Sequence, residues 1–212
     1  MKGKLQRYVE SDVKYTDQVL RSDVNTCHIM SDHETLIMEE SAKVVCQNGG
    51  SVLNVGFGMG IIDGFIRQHR PEKHTIIDIH PQVIQKAIEM GFNESATLLE
   101  GDWKTYVNQW KEDGTKFDGI YFDTFSFEDD QWFNFVKEVD SILNPGGIFS
   151  YFNYNAANWP ERSLPEYIQD NYNYKMESKI IPFEDMLNAV PSEYDFKLLT
   201  KKDYNLLWYT KQ

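Results

Sequence analysis

Hydrophobic and polar positions change period repeatedly along the chain, and the changes mark its elements. Ser51-Val52-Leu53-Asn54-Val55 is a short β-branched run, the pattern of a buried strand. Beyond it Met59, Ile61, Ile62, Phe65 and Ile66 recur at helical spacing. Three glycines at alternate positions, Gly56, Gly58 and Gly60, lie between, so the stretch reads as strand, tight turn, helix. His74–Ile79 predicts a second strand, and Pro81 opens a helix carrying Val83, Ile84, Ala87 and Ile88 that ends at Gly91. Ala96–Leu99 predicts a third strand, followed by Glu100-Gly101-Asp102-Trp103 and a helix to about Lys111. Phe117–Asp123 predicts a fourth strand, and residues 125–143 an aromatic-rich helix closed by Asn144-Pro145-Gly146-Gly147. Ile148–Phe152 predicts a fifth strand.

The flanks differ. Residues 34–47 predict a helix ended by Gly49-Gly50. Residues 1–33 are polar with scattered apolar positions and read as an N-terminal extension, placed to fold over the strand ends as a lid. Residues 153–190 carry little pattern. Phe196–Leu199 and Tyr204–Tyr209, separated by Thr200-Lys201-Lys202-Asp203, predict an antiparallel hairpin. Alternating strands and helices imply right-handed βαβ units and a parallel sheet covered on both faces. The expected fold is α/β, a Rossmann-like doubly wound sheet in a single domain over residues 1–212, closed by a C-terminal hairpin as in class I methyltransferases.

Composition narrows the function. The net charge of -12 and the lack of a Lys/Arg cluster argue against a nucleic-acid footprint and permit a cationic substrate, although acidity also serves solubility alone. No apolar run is long enough to span a bilayer, and no apolar core follows the basic N-terminus, so neither membrane nor secretion is expected. Two cysteines, Cys27 and Cys46, read as free thiols of a cytoplasmic protein. The histidines form no metal-ligand spacing with Cys or carboxylates, so no metal is expected.

In an open α/β sheet the ligand lies outside the carboxyl ends of the strands. The glycine turn has the third glycine one place too early for a dinucleotide fingerprint, which would need one at Ile61. That shortened turn suggests S-adenosylmethionine (SAM). The candidate cofactor residues are Gly56, Phe57, Gly58 and Gly60 of the turn, and Asp78 with Ile79 at the second strand end, where an acid accepts from ribose hydroxyls. Gly101, Asp102 and Trp103 follow at the third strand end, for the adenine amino group and ring, and Asp123 at the fourth. Alternatively Asp102 and Asp123 are helix caps and Trp103 is core. Glu34, in Met30-Ser31-Asp32-His33-Glu34-Thr35, lies at a helix entrance, with Asp32 as the expected N-cap.

Three segments together resemble a known family. They are Val55-Gly56-Phe57-Gly58-Met59-Gly60-Ile61, Asp32-His33-Glu34-Thr35, and Tyr121-Phe122-Asp123-Thr124-Phe125. They look like guanidinoacetate N-methyltransferase and its relative, the protein arginine δ-N-methyltransferase of fungi and plants. The resemblance spans roughly residues 13–155. It implies that Glu34 and Asp123 are catalytic and grip a guanidinium, that Asp78 holds the SAM ribose, and that SAM is the one cofactor needed. His33 stands where the family usually has Trp. The arginine enzyme carries an extra N-terminal protein-binding region where this sequence has residues 1–33, which leans the acceptor toward a small guanidine such as guanidinoacetate or free arginine. A protein arginine is the alternative acceptor. An NAD-dependent oxidoreductase and an inactive SAM-fold binding protein are the further alternatives.

Overall fold

The computed structural model describes residues 4–23, 28–124, 131–153, 164–189 and 203–212. The chain opens with α1 (Lys4–Val9) and three short strands, β1 (Val13–Tyr15), β2 (Val19–Ser22) and β3 (His28–Ser31), which form an antiparallel sheet in that order. A 3-10 turn (Asp32–Glu34) leads into α2 (Thr35–Val45). The alternating core follows as β4 (Ser51–Val55), α3 (Ile61–His69), β5 (Lys73–Asp78), α4 (Pro81–Glu89), β6 (Thr97–Glu100), α5 (Trp103–Asp113), β7 (Phe117–Phe122), α6 (Gln131–Ile142) and β8 (Leu143–Tyr151). The chain ends with α7 (Leu164–Asn171), β9 (Tyr174–Ile181), α8 (Phe183–Ala189) and β10 (Tyr204–Lys211).

The large sheet has seven strands in the order β6-β5-β4-β7-β8-β10-β9. Strands β4 to β8 are parallel, and β10 pairs antiparallel with both β8 and β9. Alternation along β4 divides the core. Leu53 and Val55 face Trp103, Val107, Phe135 and Val139 of α5 and α6, whereas Val52 faces Met38, Ala42, Ile62 and Ile66 of α2 and α3. Apolar burial on both faces explains why the parallel strands are nearly uninterrupted in hydrophobicity. No helix among the described residues is long and apolar enough to cross a membrane.

The fold is the expected one, with local corrections. β8 starts at Leu143 rather than Ile148, because Asn144-Pro145-Gly146-Gly147 bulges within the strand. Phe117 pairs with Leu143, and Gly119 with Ile148, so the extra residues protrude and pairing resumes. The strand that pairs with β10 on its outer side is β9, from the stretch with little pattern; Phe196–Leu199 lies outside the described residues. Residues 125–130 of the expected aromatic-rich helix also lie outside them, as does Cys27. Cys46 is free and buried, and burial pushes its thiol up to about 12. The N-terminal sheet was not expected. Its strands have only three or four residues, with Lys14 and Arg21 interrupting the apolar pattern.

Candidate active site

Val55 pairs with Phe122, so β4 and β7 end together where the strand order reverses. Such a switch point opens a crevice beyond the carboxyl ends. The Asp123 amide donates to the Val55 carbonyl at 2.8 Å and fixes Asp123 just past β7. Gly56 has φ 102°, and a Cβ there would lie 1.8 Å from the Asp123 carbonyl oxygen. The first glycine therefore admits the neighbouring strand's backbone. Gly58 has φ 55°, and its Cβ would lie 2.6 Å from Met30 Sδ, so the N-terminal sheet sits directly on the turn. The Tyr15 hydroxyl adds a hydrogen bond to the Gly58 carbonyl at 3.0 Å, and the Met59 amide donates to Met30 Sδ at 3.2 Å. Phe57 is buried with its ring edge-on to Phe92.

Asp78 joins the turn to the next helix. One carboxylate oxygen accepts from the Phe57 amide at 2.9 Å, the other from the His80 amide at 2.8 Å. Burial pushes its pKa up to about 6, against the pull of those donors. Ile79 is half-buried beside it. The Gly101 amide donates to the Asp78 carbonyl at 2.9 Å, so the second and third strand ends are tied together. Asp102 caps α5 by accepting from the Lys104 amide at 3.0 Å. Trp103 is buried, with its ring edge-on against both Phe122 and Phe135.

Glu34 closes a capping box. Its carboxylate accepts from the Ser31 amide at 3.0 Å, so Ser31, not Asp32, is the N-cap. It is 8% exposed. Burial, then the charge of Asp123, pushes Glu34 up to about 8, with the Ser31 donors partly opposing. Burial and the charge of Asp78 push Asp123 up to about 7. The structure thus couples Glu34 to Asp123, and Asp123 to Asp78. His33 is 3% exposed with Nδ1 2.9 Å from Asp32 Oδ1.

These raised carboxyls bind more protons folded than unfolded, so stability falls as pH rises from the unfolded value of about 4 through the folded values of about 6, 7 and 8. Ligand-free protein is expected to lose Tm progressively over that window and level off above it. Calorimetric melts across the window check this. An Asp123→Asn variant should flatten the slope, and a Tm profile the same in both proteins would contradict it.

A polar network behind the turn had no place in the sequence reading. Asn54 Nδ2 donates to the Gly56 carbonyl at 2.9 Å and to Asp63 Oδ2 at 2.8 Å, and Asp63 Oδ1 lies 3.0 Å from His74 Nε2. All three side chains are buried. A lone Asn inside an apolar strand is the sequence signal for such a network, because a buried amide needs partners.

A doubly wound sheet in this strand order, closed by antiparallel strands and carrying a glycine turn and an acid at consecutive strand ends, is the fold of class I SAM-dependent methyltransferases. The family model of guanidinoacetate N-methyltransferase matches residues 4–185, and the chain belongs to that family. Protein arginine N-methyltransferase 2 of Kluyveromyces lactis is 35% identical over 214 residues, covering 95% of this chain and 51% of the relative. The Saccharomyces cerevisiae protein of the same name is 36% identical over 167 residues, covering 75% of this chain and 40% of the relative. The chain therefore spans about half or less of these relatives. A putative SAM-dependent methyltransferase from Streptococcus mutans shares the fold with a TM-score of 0.60 at 14% identity, over 94% of this chain and 55% of that one. SAM is the cofactor of this methyltransferase family.

Proposed function

We propose that the chain transfers a methyl group from SAM to a guanidino nitrogen, and that the acceptor is an arginine side chain of a protein. The observation that carries this is the electrostatically coupled pair of buried Glu34 and half-buried Asp123. Among the described residues no Lys or Arg pairs with either. Two desolvated carboxylates close enough to repel one another are costly to ionise, and a cationic substrate relieves that cost. A guanidinium suits them because its planar donors fit two carboxylates at once. The small-molecule lean of the sequence gives way to the names of the relatives, which favour protein arginine over guanidinoacetate. The dehydrogenase alternative loses its support with the family membership.

SAM supplies an activated methyl group. The residues then divide the work. The Gly56–Gly60 turn and Asp78 would hold the cofactor, with Asp78 accepting from ribose hydroxyls through the lone pairs that its backbone amide donors leave. Glu34 orients the guanidinium across the crevice. Asp123, one residue beyond β7, takes the proton released as the N–C bond forms. Positioning a delocalised, weakly nucleophilic nitrogen in line with the methyl group is the main contribution.

The test is acceptor choice. The protein would be incubated with SAM and, separately, an arginine-containing peptide, free arginine, guanidinoacetate and lysine, and products read by mass spectrometry. The peptide is expected to gain methyl fastest, the small guanidines more slowly, and lysine not at all, because an ammonium is a point charge that cannot fill two forks. Methylation of lysine alone would overturn the guanidine reading; absence of all turnover would support the inactive binding protein.

A further inference from the structure

The buried amide of Asn54 controls one peptide plane of the glycine turn. The close approach of the Asp123 carbonyl requires glycine at position 56, and glycine leaves the next peptide free to flip. The peptide between Gly56 and Phe57 is trans, so its carbonyl and its N–H point in opposite directions. Asn54 Nδ2 donates to the carbonyl at 2.9 Å, and the Phe57 N–H donates to Asp78 Oδ2 at 2.9 Å. The plane is thus held at both ends, by a side-chain amide behind the turn and by a carboxylate at the end of β5.

The amide is itself held one way round. Its second hydrogen goes to Asp63 Oδ2 at 2.8 Å. The Gly56 carbonyl and an ionised Asp63 offer only acceptors, so a reversed amide would set its oxygen against both. Asp63 projects from the first turn of α3, and its other oxygen lies 3.0 Å from His74 Nε2 on β5. Burial pushes the Asp63 carboxyl up, and the bonds from His74 and Asn54 oppose that. Asn54 is fully buried in an apolar strand, and its Oδ1 has no partner among the described residues. An apolar side chain would avoid the cost of that orphaned oxygen, so the two donors of the amide are what the position requires.

We propose that Asn54 is a positioning residue of the cofactor site: it clamps the Gly56–Phe57 peptide so that the Phe57 N–H faces Asp78 and sets that carboxylate for the cofactor, while Asp63 and His74 fix the orientation of the clamp. That Asp78 takes the ribose rests on the function proposed above; the clamp on the peptide does not.

Two variants of the full chain test it. Asn54→Val removes both donors and leaves the buried Asp63 short of a partner, so Tm should fall. Asn54→Val combined with Asp63→Ala also removes the buried carboxylate and roughly keeps the combined volume, so Tm should recover much of the loss. The Gly56 carbonyl has no clamp in either. The first readout is the Phe57 amide signal in protein labelled with nitrogen-15 phenylalanine, assigned by its loss in Phe57→Leu. An amide proton bound to a carboxylate resonates downfield, and in both variants it should move upfield. The second is calorimetry with SAM, whose affinity should fall about tenfold in both, the worth of one hydrogen bond to a charged group. Where Asn54→Val alone fails to fold, the double variant gives both readouts. An unmoved Phe57 signal, or SAM affinity that recovers together with Tm in the double variant, would reduce the network to packing and overturn the proposal. A shifted Phe57 signal with SAM affinity within about twofold of the parent would support the clamp and overturn only the assignment of Asp78 to the ribose.

Discussion

Asp123→Asn is expected to lower methyl transfer by about three orders of magnitude or more while SAM still binds. The substitution preserves shape, and the interactions that hold this strand end in place are backbone. The Asp123 amide still donates to the Val55 carbonyl, and the Asp123 carbonyl still faces Gly56. What disappears is a charge and a proton acceptor. An amide NH2 would also present donors to a guanidinium that has donors only. Single-turnover rates with an arginine peptide, alongside calorimetry with SAM, separate the two effects. A second readout comes from Glu34, which the charge of Asp123 helps push up to about 8. In the variant its titration should move toward lower pH. Turnover within about tenfold of the parent would reduce Asp123 to a structural residue at a strand end.

The parallel half of the fold was legible because burial on both faces leaves β4, β5 and β7 with short apolar runs between helical patterns, and βαβ handedness does the rest. The strand ends were legible for the same reason, so the positions of Gly56, Asp78 and Asp123 followed from topology. Pairing that depends on long-range partners was less so. β9 carries Lys175, Glu177 and Lys179 on a sheet edge, where charge interrupts the apolar pattern without preventing pairing. The packing of Trp103 was open, since an aromatic after a strand end serves a ring pocket or a core equally well, and only the structure shows its contacts with Phe122 and Phe135. The contacts of Tyr15 and Met30 with the glycine turn could not be read. Each reaches the site from an element distant in sequence, through a contact that no local period encodes.

Gly56→Ala should abolish tight SAM binding and destabilise the fold, whereas Gly58→Ala should do much less, and the contrast follows from what each new methyl group meets. At Gly56 the Cβ would lie 1.8 Å from the Asp123 carbonyl oxygen, a backbone atom. No rotamer change relieves that. The Gly56 amide donates to the Ile77 carbonyl at 2.8 Å and the Asp123 amide to the Val55 carbonyl at 2.8 Å, so both sides of the collision are pinned into the sheet. The φ of 102° is also outside the range that an alanine adopts readily, at a cost on the order of 1–3 kcal/mol. Relief requires the ends of β4 and β7 to separate, which displaces the glycine turn and Asp123 together. At Gly58 the Cβ would lie 2.6 Å from Met30 Sδ, the far end of a flexible side chain, and φ 55° is ordinary left-handed backbone costing about 1 kcal/mol. Calorimetry with SAM should therefore show affinity reduced at least about a hundredfold for Gly56→Ala and about tenfold or less for Gly58→Ala, with Tm falling in the same order. Adding Met30→Ala should recover part of the Gly58→Ala loss, because it removes the colliding sulfur, and should recover nothing at Gly56. Equal losses at the two glycines would show that the turn tolerates no Cβ for reasons of the cofactor alone, and the role assigned to the Asp123 carbonyl would be wrong.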